Sequence, residues 1–245
     1  MLNPTVAQLF GFRNRVINGG FTINQRAYVT NTALAAGVYA HDRWKAGAGG
    51  CTYTFMQGSA GVNTTITITA GTLCQIIEGC NLPEGGTYTL SWTGTAQARV
   101  NAGSYAASPI TVTGLTAGAN CTIEFATGSV GSVQFTPGSA TSAFDYRAHG
   151  TELALCYRYY FKVTGHPLGV TLNIADGYAS LVNFPVTMRQ APTLEAGATF
   201  TVGAGSAGTP QLSTVTVNAG LMRNGAGDWT SNVAFSMTGA FTAEI

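Results

Sequence analysis

Strict alternation of apolar and hydroxyl residues is the feature that most restricts this chain. Thr64-Thr65-Ile66-Thr67-Ile68-Thr69, Tyr88-Thr89-Leu90-Ser91-Trp92 and Leu212-Ser213-Thr214-Val215-Thr216-Val217 all repeat with period two. That is the period of a strand with one face buried and its threonines turned outward. Turn formers separate such runs, as in Pro83-Glu84-Gly85-Gly86, Thr116-Ala117-Gly118-Ala119-Asn120 and Asn224-Gly225-Ala226-Gly227-Asp228. Many short strands at this spacing predict an all-β fold of the jelly-roll or β-sandwich kind.

Helical periodicity occurs once. Leu153, Cys156, Tyr157 and Tyr160 recur at helical spacing through Glu152 to Phe161, with Thr151 as a possible N-cap. A strand with Leu153, Leu155, Tyr157, Tyr159 and Phe161 on one face fits the same letters. Under either reading, the charged and aromatic cluster from Phe144 to Lys162 differs from the Gly/Thr/Ala-rich sequence before it. This change marks a domain boundary near Ala148 to Gly150.

Only 9% of the 245 residues are charged, and the net charge is +1. A neutral, hydroxyl-rich surface has no cationic field for a phosphate backbone or an anionic bilayer, so nucleic acid and membrane insertion are not expected. The opening residues lack a basic segment followed by an apolar run, and no stretch has the length of a membrane-spanning helix. The five cysteines, Cys51, Cys74, Cys80, Cys121 and Cys156, are odd in number and irregular in spacing. They read as small buried hydrophobes. A Cys74 and Cys80 pair on one strand face is the alternative.

Catalytic and metal-binding patterns are weak. His41, His149 and His166 are scattered without metal-ligand spacing and read as surface or loop residues, and the ten acidic residues occur singly. No metal or organic cofactor is expected, nor is enzymatic activity, although folding could still assemble a glycosidase-like carboxylate pair. Gly203-Ala204-Gly205-Ser206-Ala207-Gly208 matches a dinucleotide fingerprint, but Thr209-Pro210-Gln211 leads into a strand instead of a helix, so a hairpin loop is the expectation. Sugar-binding chemistry pairs an aromatic ring with nearby polar groups. Tyr178 beside Asp176, and Trp229 beside Asp228, have that character, while Trp92 reads as core and Trp44 as an apolar anchor beside Asp42-Arg43.

Three segments together resemble the tail-fibre, receptor-binding and related virion fibre proteins of tailed bacteriophages. They are Asn14-Arg15-Val16-Ile17-Asn18-Gly19-Gly20-Phe21 with Gln25-Arg26 and Asp42-Arg43-Trp44, then Glu152 to Tyr160, then Phe184-Pro185-Val186-Thr187-Met188-Arg189 with Pro192-Thr193. The chain departs from the usual opening at Asn24, where a Trp is common, and at Ala27, where a Gly is common. The resemblance implies a carbohydrate-binding-module-like jelly roll over 14–149 and a smaller β domain over 150–245. Pro4, the apolar Val6, Leu9 and Phe10, and Arg13 precede the motif as a strip that needs a partner, so 1–13 is expected to be an attachment segment that contacts other virion proteins. Asn18-Gly19 would supply a turn, and Arg158 and Arg189 would bond carbonyls or carboxylates between packed layers.

The expectation is a virion protein made in the host cytoplasm, a homotrimer that attaches to bacterial surface glycan. A capsid decoration or head-fibre protein without glycan binding, and a glycan depolymerase, are the alternatives.

Overall fold

The alternating runs are strands of antiparallel sheets. A computed structural model describes residues 12–167, 172–174, 177–202, 210–224 and 235–245. Contacts divide the chain into two units, Met1–Leu153 and Ala154–Ile245.

The first unit holds β1 (Lys45–Phe55), β2 (Ile66–Ile77), β3 (Gly86–Thr93), β4 (Ala98–Val100), β5 (Ile110–Leu115), β6 (Cys121–Phe125) and β7 (Gly128–Pro137). They form one sheet in the order β4-β6-β2-β7-β3-β5, with β1 also paired to β2. In β2, Ile66 and Ile68 are buried while Thr65, Thr67 and Thr69 are exposed, as the period predicts. In β3 the alternation fails, because Thr89 is buried as well and its hydroxyl donates to the Gly138 carbonyl at 2.7 Å. A buried hydroxyl is tolerated only with such a partner.

β7 makes the sheet sandwich-like. Gly128, Ser129 and Val130 pair with β2, whereas Gly131 to Pro137 pair with β3. Between the two pairings Ser132 takes a positive φ of 47°, and the register with β3 shifts between Ser91 and Thr93. A strand that bends in this way passes from one layer to the next. Side chains of β2, β3, β6 and β7 then share one core that includes Ile66, Leu90, Trp92, Ile123, Phe125 and Phe135. Trp92 is core, as expected, and its indole N–H donates to the Ala96 carbonyl at 3.0 Å.

In the second unit, β13 (Pro210–Val215), β14 (Ala219–Asn224), β10 (Gly177–Asn183) and β9 (Leu172–Ile174) form one four-stranded sheet. β8 (Tyr160–Pro167), β11 (Thr193–Leu194), β12 (Thr199–Val202) and β15 (Phe235–Thr242) form the other, in which β15 pairs with all three partners. Val182, Phe184 and Met222 pack with Val163, Met237 and Phe241 in the core of this unit. Arg189 bonds carbonyls, donating Nε to Ala243 O at 2.7 Å and Nη2 to Glu244 O at 3.1 Å. The Arg189 N–H donates to the Arg158 carbonyl at 2.8 Å, while the Arg158 guanidinium lies 5.9 Å from the Tyr159 ring centre.

The helix α1 (His149–Tyr157) starts before the expected cap. The Ala148 carbonyl, not Thr151, receives the first N–H groups, those of Thr151 and Glu152. The helix also stops short of Phe161. From Tyr160 the chain enters β8, where Tyr160 and Phe161 pair with Thr242 and Phe241. Both readings of 152–161 therefore hold for part of the segment, because non-local strand pairing overrides the local helical period. No helix among the described residues is long and apolar enough to cross a membrane.

Cys51, Cys74, Cys121 and Cys156 are buried free thiols, as expected. Burial pushes the Cys51 thiol up to about 12 and the Cys74 and Cys121 thiols to about 11. Cys80 departs from the expectation. It is exposed in a 3-10 turn over Gly79–Asn81, where turn geometry replaces an extended strand and its thiol reaches Glu78 at 3.4 Å.

Candidate functional site

Two polar and aromatic clusters in the first unit have the composition of a site. The first is built by the opening segment, which runs where β2 and β7 separate. Asn14 Oδ1 accepts the N–H groups of Val16 and Phe135. Gln75 of β2 exchanges two hydrogen bonds with the Ile17 backbone, at 2.9 and 2.8 Å. Gly19 sits against β7 so closely that a Cβ would fall 2.1 Å from the Val133 carbonyl oxygen. Glycine is required there for close approach.

Asn18 organises this cluster. It is fully buried at a φ of 56°. Its Oδ1 accepts from the N–H groups of Thr22 and Ile23, and its Nδ2 donates to the carbonyls of Ile23 and Asp42. Four bonds use the full capacity of a side-chain amide. The Asn18 carbonyl accepts the Trp44 indole N–H at 2.9 Å, and the Trp44 ring stacks on Phe21 at 4.8 Å. The Asp42 carboxylate accepts the Gln25 N–H at 2.9 Å and also the Gln25 amide, while buried Arg43 donates Nη2 to the Ile76 carbonyl at 2.7 Å. Ala27 takes a φ of 53°, so the glycine common in the resembled opening would be unstrained where this chain has a methyl group. Asn24 closes the same turn by bonding both backbone groups of Tyr28.

His41 belongs to this interior too, a correction to its reading as a surface or loop residue. Its Nδ1 lies 2.7 Å from the Tyr53 hydroxyl and its Nε2 lies 3.3 Å from Gln57 Oε1. The Phe21, Tyr28, Tyr53 and Phe55 rings surround it. Burial holds its pKa down at about 4, so the ring is neutral at pH 7. Asn18, His41, Asp42, Arg43 and Trp44 are all essentially inaccessible, so they form scaffold and offer no surface to a ligand.

The second cluster is open. Buried Gln134 of β7 pins the chain after that strand, donating to the Ser142 carbonyl and hydroxyl and accepting the Asp145 N–H. Arg147 then reaches back to the opening segment. Its guanidinium donates to the carbonyls of Asn14 and Val16 and, through Nη1, to both oxygens of Glu152 at 3.1 Å. Glu152 in turn accepts the Asn18 N–H. These bonds fix residues 142–152 beside Gly20 and Thr22 and beside the loop that carries Gly61 and Asn63.

Between these segments lies a small surface cleft of about 20 Å³, open to solvent. Asn63 is seated by its bond to the Ser132 hydroxyl at 3.0 Å, and Gly20 makes room for it, since a Cβ there would fall 2.2 Å from Asn63 Oδ1. Tyr146 stands at the mouth, 71% exposed, with Phe144 edge-on at 4.9 Å. The Arg147 side chain is only 5% exposed, and its Nε and the His149 Nδ1 are buried in the wall without a hydrogen-bond partner. Each unpaired buried group of this kind costs about 1–3 kcal/mol until an acceptor or donor reaches it. An aromatic face beside an amide and a carboxylate at the surface is the chemistry that a sugar ring matches.

Of the expected ligand residues, Asp176, Asp228 and Trp229 lie outside the described residues, as do 1–11 of the attachment segment and the glycine-rich loop 203–208. Tyr178 is paired through its backbone to Asn173 between β10 and β9. The cleft was missed because Thr22, Asn63 and Tyr146 come together only through the β2 to β7 pairing and the long-range bonds of Asn63, Gln134 and Arg147. Its one trace in the sequence is the Phe144–Lys162 cluster, read there as a boundary. Among the described residues no three His, Cys, Asp or Glu side chains converge to hold a metal ion. No family model, curated protein or solved structure matches the chain, so the cleft is interpreted from its own residues.

Proposed function

We propose that this chain is a fibre or receptor-binding component of a tailed-phage virion and that it attaches to bacterial surface glycan through the Tyr146 cleft. The observation that carries the reading is an exposed aromatic ring beside the polar side chains of Asn63 and Asp145. The resemblance of the opening, Glu152–Tyr160 and Phe184–Thr193 segments to phage fibre proteins supports the virion assignment. The Asp145 carboxylate accepts the Asn14 N–H and Glu152 is engaged by Arg147, which favours binding over hydrolysis. One shallow site of this kind binds in roughly the millimolar range, about 4 kcal/mol. A homotrimer raises the avidity by about 10² to 10⁴.

The test is adsorption of the labelled protein to a panel of bacteria before and after periodate oxidation of their surface sugars. Binding that periodate abolishes, and that Tyr146→Ala removes, is the expected result. Periodate-resistant binding would point to a protein receptor. Light scattering should return three times the 25.3 kDa chain mass.

A further inference from the structure

We infer that the Tyr146 cleft selects uncharged saccharides and turns away acidic ones, an inference that rests on the glycan-binding reading above. The charged side chains lining the cleft are Asp145, Arg147 and Glu152, which sum to a formal −1. What matters is where they face. Arg147 directs its terminal nitrogens inward, to Glu152 and to the carbonyls of Asn14 and Val16, and its side chain is almost wholly buried. No guanidinium is therefore presented at the mouth to meet a carboxylate or phosphate. A uronic acid, sialic acid or phosphorylated sugar would instead approach the Asp145 carboxylate with its own charge unpaired. Like charges brought together in this way reject a partner.

A neutral ring meets complementary groups. Asp145 accepts one bond through Oδ2, from the Asn14 N–H at 3.3 Å, and an ionised carboxylate has capacity for further donors. Sugar hydroxyls supply such donors, and hydrogen bonds to a charged acceptor are the stronger kind. The ring's C–H face lies on Tyr146.

The experiment uses the full chain on an array of bacterial capsular and O-antigen polysaccharides, divided into neutral members and members bearing carboxylate or phosphate. Neutral members should carry the bound signal, and Tyr146→Ala should reduce it about tenfold at unchanged melting temperature. Asp145→Asn should raise the signal of acidic members relative to neutral ones by about tenfold. A signal dominated by acidic members, or an unchanged ratio for Asp145→Asn, overturns the inference while leaving glycan attachment in place. Binding to no member overturns the glycan reading and this inference with it.

Discussion

The Asn18–Trp44 cluster and the Tyr146 cleft use the same residue types and share a hydrogen bond, from the Asn18 N–H to Glu152, yet they do different work. In the first, Asn18 uses every side-chain valence on the backbone and the aromatic rings are sealed in the core. In the second, an aromatic ring faces water beside polar side chains. Polar residues sealed in the core are scaffold, and a function is better sought where aromatic and polar groups meet at exposed surface. The opening segment shows what the scaffold holds in place. Among the described residues, six of the eight non-glycine residues at positive φ lie from Phe12 to Arg43, a strain that persists only where the surroundings over-determine the backbone.

Breaking the scaffold should have the largest effect on stability. Gly19→Ala drives a methyl into the Val133 carbonyl and should cost about 3–5 kcal/mol, seen as a denaturation midpoint far below wild type or as insoluble protein. Asn18→Ala strands two carbonyls and two N–H groups and should follow closely.

His41 gives the next effect, with a definite sign. Its pKa is about 4 in the folded chain against an ordinary 6.5, so the unfolded chain takes up the proton first as the pH falls. Stability from keeping this ring neutral is complete above about 6.5 and is lost progressively as the pH falls to about 4, on the order of 3 kcal/mol in all. Melting temperatures across that range should decline, and His41→Gln should flatten the decline. An equal slope in the variant would show that other groups govern it.

Ala27→Gly should stabilise slightly, by roughly 0.5–1 kcal/mol, because left-handed backbone strain exceeds the entropic cost of glycine at a φ of 53°. Tyr146→Ala should change stability least, within about 0.5 kcal/mol, while removing cell binding. A large loss of stability in that variant would move Tyr146 from the ligand site to the scaffold.

Much of the fold was legible because period two writes a half-buried strand directly, as in Ile66-Thr67-Ile68. The exceptions are positions where distant pairing decides. Thr89 is buried on β3 with a carbonyl partner forty-nine residues away, and Tyr160 and Phe161 leave the helical period to pair with β15. The motif Asp42-Arg43-Trp44 was legible as an anchor, but His41 beside it was not, since one letter cannot show that four rings close around it. The cleft was the least legible part. It joins residues near 20, 62 and 146, which the β2 to β7 pairing and the long-range bonds of Asn63, Gln134 and Arg147 bring together.

The most direct test is a titration of isotope-labelled protein with polysaccharide released from a bacterium that the protein binds, followed by amide chemical shifts. The account predicts shifts concentrated at Thr22, Asn63 and Phe144–Glu152, with the amides of Asp42, Arg43 and Trp44 unmoved. Shifts centred on 176–178 or 228–229 with the cleft silent would contradict it.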